Sequence, residues 1–195
     1  MTVSGRTAAL GSTRRFLALL RGINVGGRNA LPMAELRALG EELGWSNLRT
    51  YIQSGNLVFA AKRSGRDVER RLEDELEAGL ARRCAWSVPV IVRGASRWTA
   101  YVRGNPFAAA AEATPNLVML GLSKELPSPD APGVLMDRAR DGEQIALVGD
   151  ALWIHFPGGV ARSKLAQALL DRVVGSPVTM RNWNTVRMLG EMVGA

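Results

Sequence analysis

The 195-residue chain has 47% apolar and 22% charged residues, the composition of an ordinary globular protein that can bury a core. No apolar run approaches the roughly 18 residues of a membrane-spanning helix, and the paired arginines before the first apolar run lack the cleavage pattern of an export signal. The chain has a single cysteine, which excludes an intramolecular disulfide. It also has a single histidine, and one residue of each type is too few for a usual zinc site. We therefore expect a cytoplasmic protein without a membrane partner or a metal. The sequence does not indicate a cofactor or an oligomeric state.

The net charge of +7 is unevenly distributed. Residues 1–100 carry 16 basic and 9 acidic side chains, a balance of +7, whereas residues 101–195 carry 9 of each. A basic half-chain indicates an anionic partner, either a nucleotide-like small molecule or a nucleic acid. Arginine enrichment from a GC-rich genome would give the same count, so both interpretations stand at this stage.

In chain order, residues 1–13 are small, polar and aperiodic, and they predict a mobile tail. The next segments alternate in type: strand RFLALLRGI, a helix from Pro32 to Leu43, strands LRTYIQ and NLVFAA joined around Ser54-Gly55, a helix over 66–83 and strand SVPVIV. This order is β-α-β-β-α-β, the pattern of a ferredoxin-like unit.

The same order returns later in the chain. Residues 94–114 predict a short helix and a turn, after which come strand NLVMLGL, a helix within 129–139, a hairpin of EQIALVG and ALWIHF, helix SKLAQALLDRVV and strand SPVTM. We predict an α+β fold, an α/β sandwich, of two ferredoxin-like βαββαβ halves over 14–93 and 115–181, linked by 94–114 and followed by a C-terminal helix within 182–195. The first strand of each half is apolar on both faces, so we expect the second face of each sheet to be covered.

Two polar loop clusters follow from this topology. In a βαββαβ unit the loop after strand one lies near the turn after strand two, and strands three and four end on the same side. The first cluster therefore contains Arg21, Asn24, Arg28, Asn29, Gln53, Ser54 and Asn56. The second contains His155, Arg162, Ser163, Lys164, Arg181, Asn182, Trp183 and Asn184.

The residue types in both clusters suit an anion or a polar ring, because arginine and N–H groups bind phosphate and carboxylate. Neither GINVGG nor GGVARSK has the spacing of a dinucleotide fingerprint or a P-loop. The glycines and asparagines also fit plain turn formation. Trp183 fits either a base-stacking platform or a plug that docks the terminal helix, and His155 fits either a structural role or proton transfer.

Four segments, LLRGINVGGRNALPMAELRALGEELG, NLRTYIQSGNLVF, RSK and TMRNWNTVRML, closely resemble a bacterial family called domain of unknown function 1697. The resemblance implies two linked α/β halves of ferredoxin-like character, and it implies no activity. It falls on Arg21, Gly22, Asn24, Gly26, Gly27, Gln53, Ser54, Gly55 and Asn56, and on Arg162, Ser163, Lys164, Arg181, Asn182, Trp183, Asn184 and Thr185. Met180 departs from the second threonine that the family more usually carries.

Three functions remain in competition. The first is a protein that binds an anionic ligand, a nucleotide-like small molecule or a nucleic acid, at these loops. The second is an enzyme for a phosphorylated or carboxylated substrate, in which Arg162, Lys164 and Arg181 stabilise charge and Ser163 or His155 transfers a proton. The third is an architectural protein whose motifs join its two halves.

Overall fold

The structure, a computed structural model, describes residues 13–194, and the predicted tail lies outside this range except for Thr13. The first half contains β1 (Arg14–Leu20), α1 (Met33–Glu42), β2 (Ser46–Tyr51), β3 (Asn56–Ala61), α2 (Val68–Ala81) and β4 (Val90–Gly94). Its strands form an antiparallel sheet in the order β2-β3-β1-β4, as in a ferredoxin-like unit.

The rest of the chain repeats this arrangement after a helical connection. It contains α3 (Ala95–Arg103), α4 (Ala108–Ala113), a 3₁₀ turn (Pro115–Leu117), β5 (Val118–Leu122), α5 (Ala131–Met136), β6 (Gln144–Val148), β7 (Ala151–His155), α6 (Gln167–Val174), β8 (Thr179–Asn182) and α7 (Trp183–Val193). The second sheet has the order β6-β7-β5-β8. The prediction of a mixed α+β sandwich with two similar halves is confirmed.

Some element boundaries differ from the predicted ones, for identifiable reasons. Strand β4 begins only at Val90, because Pro89 has no N–H to donate to the ladder. Helix α6 begins four residues after Ser163, whose hydroxyl accepts from Leu165 N and holds the chain in a turn instead. Strand β8 is shifted towards the C-terminus and shares only Thr179 and Met180 with the predicted SPVTM, because Val178 N donates to the side chain of Asp171 and not to the sheet.

Apolar side chains from alternate positions of each strand enter different cores. In β1, Phe16 packs with α1 and α2, whereas Leu17 joins a central cluster that also contains Leu120 of β5 and Trp153 of β7. Helices α3 and α7 contribute to this central cluster, and α7 contacts both sheets. A third cluster lies between the outer face of the second sheet and helices α5 and α6. The second face of each sheet is thus covered by the other half and by α3 and α7, as predicted.

Candidate functional site

The glycine-rich loop after β1 is a small hairpin that extends into solvent. Gly26 and Gly27 have φ values of 56° and 74°, as the centre of a primed two-residue turn requires. Asn24 N donates to Asn29 O at 2.9 Å and closes the hairpin. Arg28 is exposed. The glycines therefore serve the turn, and the loop alone forms no cradle for a ligand.

The side chain of Asn24 fastens this loop to the turn between β2 and β3. Its Nδ2 donates to Gln53 O at 2.7 Å and to Leu31 O at 3.0 Å, and its Oδ1 accepts from Leu31 N. Asn29 uses its own Nδ2 on Gly22 O. The two loops are neighbours, as the topology predicts. Both asparagine side chains, however, use their hydrogen-bonding groups on backbone atoms. The side chain of Gln53 is exposed.

The β2–β3 turn contains an uncommon backbone conformation. Ile52 has a φ of 47°, which is unfavourable for a β-branched residue, and its side chain is 51% exposed. Gly55 has a φ of 75° and lies against Leu20, so a side chain at this position would clash. The turn leads into Asn56, which is fully buried.

Arg181 of β8 connects this turn to the second half of the chain. Its Nε donates to Asn56 Oδ1 at 2.6 Å, and its Nη2 donates to Leu20 O at 2.8 Å and Ser54 O at 2.9 Å. Its Nη1 donates to Met180 O at 2.9 Å. Within residues 13–194, none of its acceptors is a carboxylate. Burial lowers the pKa of Arg181 to about 10, which still leaves it a cation at neutral pH.

A guanidinium has five N–H donors. The hydrogen bonds of Arg181 within residues 13–194 use the Nε hydrogen, both Nη2 hydrogens and one Nη1 hydrogen. The second Nη1 hydrogen has no acceptor there. Arg181 therefore brings an unneutralised charge and an unused donor to the boundary between the halves.

A cleft of about 380 Å³ lies at this boundary, next to Arg181. It is lined by Arg21, Gly22, Ile52, Ser54, Met119, Gln167, Val178, Thr179, Met180, Arg181, Asn182 and Thr185. We call it the inter-half cleft. Its walls are the β1 end and the β2–β3 turn on one side, and β8 with the first turns of α6 and α7 on the other.

Two further groups in the inter-half cleft bear on its chemistry. Thr179 is 1% exposed, and its Oγ1 has no hydrogen-bond partner within the described part of the chain. Arg21 forms a two-pronged ion pair with Asp171 of α6, at 2.9 and 2.6 Å, which lowers the pKa of Asp171 against the opposing effect of burial. Arg21 is therefore already neutralised, and the excess charge of the cleft comes from Arg181.

The N-terminus of α7 also faces the inter-half cleft. Asn182 caps this helix by accepting from Thr185 N at 3.0 Å, and both residues line the cleft. Trp183 is partly buried and packs at a ring-centre distance of 5.9 Å against Trp153 of the central core, a contact that fits a plug docking the terminal helix. The side chain of Asn184 donates to Asn116 Oδ1 at 2.9 Å.

The predicted second cluster does not assemble. No hydrogen bond within residues 13–194 joins Arg181 to Arg162, Ser163 or Lys164, because Arg181 lies on the face of β8 that meets the first half. Arg162 is exposed, and Lys164 lies on the far side of the start of α6, in a separate cleft. His155 Nδ1 lies 3.4 Å from Gln144 Oε1, and no contact ties it to Arg181.

Ser163 binds a buried carboxylate. Its Oγ donates to Glu143 Oε1, and Glu143 Oε2 accepts from the backbone N–H groups of Arg140 (3.0 Å) and Asp141 (2.8 Å). Burial acts to raise the pKa of Glu143, but these hydrogen bonds outweigh it and lower the pKa to about 2. The Ser163 hydroxyl therefore positions its loop by bonding both Glu143 and Leu165 N.

Several cleft residues were not singled out from the sequence, namely Ile52, Met119, Gln167, Val178 and Thr179, whereas Thr185 was named only through the family resemblance. Thr179 and Thr185 belong to the TMRNWNT motif, so the motif itself contained the signal. The sequence gave no signal that Asp171 belongs to this site, because its partner Arg21 lies 150 residues away along the chain. Within residues 13–194 no group of three or more His, Cys, Asp or Glu side chains is arranged to hold a metal, and no helix is long and apolar enough to cross a membrane.

The fold and the site define a class: an α+β protein of two ferredoxin-like halves with a polar cleft between them. The model for the family described as "Protein of unknown function (DUF1697)" matches residues 13–153, and the chain belongs to this family. The match includes the RGIN and QSGN motifs and ends before Arg162 and Arg181. The assignment of the RSK and RNWN motifs to the family therefore depends on the resemblance noted in the sequence.

One solved structure supports the fold. It is that of the conserved bacterial protein SP0830 from Streptococcus pneumoniae, which is 23% identical and superimposes with a TM-score of 0.68 over 93% of this chain and 99% of that one. No curated protein matches the sequence.

Proposed function

We propose that the inter-half cleft binds a small organic anion through one carboxylate or phosphate group held by Arg181. The observation that carries this proposal is the half-buried guanidinium of Arg181, which within residues 13–194 has no carboxylate partner and keeps one Nη1 hydrogen unused. Taking a cation out of water without a counter-charge is costly, and a bound anion offsets that cost.

Thr179 supports the same assignment. A buried hydroxyl without a partner destabilises a fold by about 1–3 kcal/mol, and Thr179, whose Oγ1 has no partner within residues 13–194, is one of the residues that line the cleft. A hydroxyl both donates and accepts, and it complements an anionic oxygen beside a guanidinium. The N-terminus of α7, at Asn182, adds partial positive charge on the same side.

The lining also indicates the size and type of the ligand. A volume of about 380 Å³ is at the small end of the range for small-molecule sites. Ile52, Met119 and Val178 provide apolar contacts for a ring or an alkyl group, and Ser54 and Gln167 provide polar ones. Trp183 packs against the core and does not line the cleft, so among residues 13–194 the cleft lining offers no aromatic platform for stacking successive bases. These features favour a nucleotide-like small molecule over a nucleic acid.

Calorimetric titration with matched ligand pairs tests the proposal. We expect AMP to bind and adenosine to bind at least about tenfold more weakly, because only AMP carries the anionic group. We expect Thr179→Val to weaken AMP binding about tenfold while preserving or raising stability, because the lost hydroxyl has no partner in the fold. Thr99→Val is the matched control: it makes the same change in α3, where the hydroxyl bonds Ala95 O outside the cleft.

Binding that does not distinguish AMP from adenosine, or that responds equally to the two valine variants, would contradict the proposal. If neither AMP nor inorganic phosphate binds, the anion site is disproved.

The contacts of Arg181 with Leu20, Ser54 and Asn56 support a second candidate, a purely architectural role. In that case Arg181→Met strongly lowers the free energy of unfolding, and the wild-type protein shows no anion response that Thr179→Val removes. The contacts of Ser163, His155 and Arg181 lend no support to the enzyme alternative, because their partners are Glu143, Gln144 and Asn56 and no hydrogen bond within residues 13–194 links the three.

A further inference from the structure

A second concave surface lies on the other side of the α6 start, and every charged residue in its lining is a cation. Its volume is about 500 Å³, and its charged residues are Arg138, Arg140, Lys164 and Arg172. Its remaining lining consists of Ala166, Ala168 and Leu169. We call it the basic cleft, and it is independent of the inter-half cleft and of the function proposed for it.

Among the residues that the structure describes, the four cations of the basic cleft have no acidic partners. None of them forms a salt bridge within residues 13–194, and all four are exposed. The guanidinium of Arg140 donates to two backbone carbonyls, those of Asp137 and Ala139. The carboxylates of Asp137 and Asp141 lie on the same segment but do not line the cleft. Four like charges around one concavity repel one another, so the arrangement favours an anion that offsets them.

The segments that carry Arg140 and Lys164 are held together by a buried carboxylate. Glu143 accepts from Arg140 N and from the Ser163 hydroxyl, and thereby ties the segment after α5 to the loop before α6. Lys164 directly follows Ser163, and Leu165 N donates to Ser163 Oγ at 3.1 Å. The backbone positions of Arg140 and Lys164 are therefore fixed relative to each other before any ligand binds, which lowers the entropic cost of binding.

We infer that the basic cleft binds an oligophosphate group, a chain of two or more linked phosphates. A triphosphate chain carries roughly four negative charges at neutral pH, which matches the four cations around the cleft. Arginine forks and a lysine ammonium are the usual protein partners of phosphate oxygens. The cations surround one compact space and do not form an extended track, and no aromatic side chain lines it. A compact oligophosphate therefore fits better than a nucleic-acid strand, which requires a track and stacking surfaces.

Titration of the full chain with inorganic triphosphate, pyrophosphate and orthophosphate tests the inference, and we expect affinity in that order. Arg138→Gln and Lys164→Gln should each weaken triphosphate binding about tenfold. Both side chains are exposed and lack salt bridges, so these variants should fold normally. Arg82→Gln removes an equally exposed and unpaired charge from the end of α2 and should change the affinity less than twofold.

Thr179→Val separates the two clefts. It should leave triphosphate binding unchanged, so that failure of the inter-half site and failure of the basic cleft are distinguishable. The inference is overturned if triphosphate does not bind at low salt, or if Arg82→Gln weakens binding as much as Lys164→Gln does. It is equally overturned if a single-stranded or duplex oligonucleotide binds these residues and triphosphate does not displace it.

Discussion

At the scale of single residues, Arg181 shows both what the sequence reveals and what it conceals. Its motif identified it as a candidate anion ligand, and arginine chemistry alone supports that assignment. Its neighbours are Leu20, Ser54 and Asn56, more than 120 positions earlier in the chain. A topology argument within one half cannot reach across to the other, so it placed Arg181 with Arg162 and Lys164.

The asparagines of the first loop illustrate a different limit. Asn24 and Asn29 have positive φ and bind backbone atoms, which is turn chemistry. From the sequence, ligand binding and turn formation by these side chains have the same signature. Only the hydrogen-bond partners separate the two.

Ile52 provides the first residue-scale prediction. A β-branched residue at a φ of 47° is strained by about 1–3 kcal/mol, whereas asparagine tolerates this conformation. We expect Ile52→Asn to raise the free energy of unfolding by about 1 kcal/mol in denaturant titrations. Ile52→Val keeps the branching and the strain, and it should not be more stable than the wild type. Equal stability of the two variants would show that the turn is not strained.

Glu143 provides the second residue-scale prediction. Because hydrogen bonds lower its pKa from 4.5 to about 2 in the folded protein, its stabilising effect is complete above pH 4.5 and is lost as the pH falls towards 2. Glu143→Gln should therefore be less stable than the wild type at neutral pH, and the difference should shrink below pH 4.5. Denaturant titrations at a series of pH values measure this.

The control for this pH dependence is Glu112→Gln, which alters an exposed carboxylate without an ion pair in the described chain. Its stability should follow that of the wild type at every pH. A gap between Glu143→Gln and wild type that stays constant down to pH 2 would refute the assigned cause.

At the scale of elements, periodicity predicted the order of strands and most helices because each element buries a regular stripe. In α2, Val68, Leu72, Leu76 and Leu80 are all buried, at the spacing expected from the sequence. Ends determined by side-chain hydrogen bonds were missed, as at β8, where Asp171 captures Val178 N. The short helix α4 was also missed, because its alanine-rich sequence has no apolar and polar residues at helical spacing that would reveal a buried face.

The cap of α7 gives the element-scale prediction. Asn182 is the N-cap and accepts from Thr185 N, so Asn182→Ala should cost about 1 kcal/mol of stability. Asn182→Asp should retain the stability, because a carboxylate also accepts this bond and suits the helix N-terminus. Thermal unfolding compares the two variants, and an alanine variant as stable as the aspartate variant would rule out the cap.

The aspartate variant also probes the inter-half cleft. Asn182 lines the cleft beside Arg181, so a carboxylate there should compete with an anionic ligand. We expect Asn182→Asp to fold normally and to bind AMP more weakly than the wild type. Unchanged affinity would place the ligand elsewhere.

At the scale of the whole molecule, two similar halves are joined by a shared core and by a buried ionic cluster. Arg93 is 5% exposed and contacts Glu73 of α2, Asp150 between β6 and β7, and the Tyr101 hydroxyl of α3. Arg93 Nη2 also donates to Ser123 O at 2.7 Å. The cluster thus holds both halves and the connecting helix together.

Removing one partner of such a cluster leaves buried charges uncompensated. We expect Arg93→Met to lower the free energy of unfolding by about 3–5 kcal/mol. Both the wild type and this variant should unfold in a single transition that coincides in tryptophan fluorescence and far-ultraviolet circular dichroism. The reason is that the central core contains side chains from both sheets. Two separate transitions in the wild type would show that the halves are independent.

The charge totals of the two half-chains did not indicate where the basic cleft lies. The first hundred residues carry the net charge of +7, yet the basic cleft lies in the half whose total is zero. A sum over a hundred residues cannot report where charges converge in space. The fold was accessible from the sequence because periodicity is local, whereas both clefts depend on contacts between distant segments.

The central claim is that Arg181 holds an anion in the inter-half cleft, and the side-chain NMR signal of Arg181 tests it most directly. The Nε–Hε correlation, assigned by its loss in Arg181→Lys, is followed during titration with AMP. We predict a saturable shift of this signal with AMP, no shift with adenosine, and a shift requiring about tenfold more AMP in Thr179→Val. An Arg181 signal that stays unmoved while AMP saturates the protein would contradict the account.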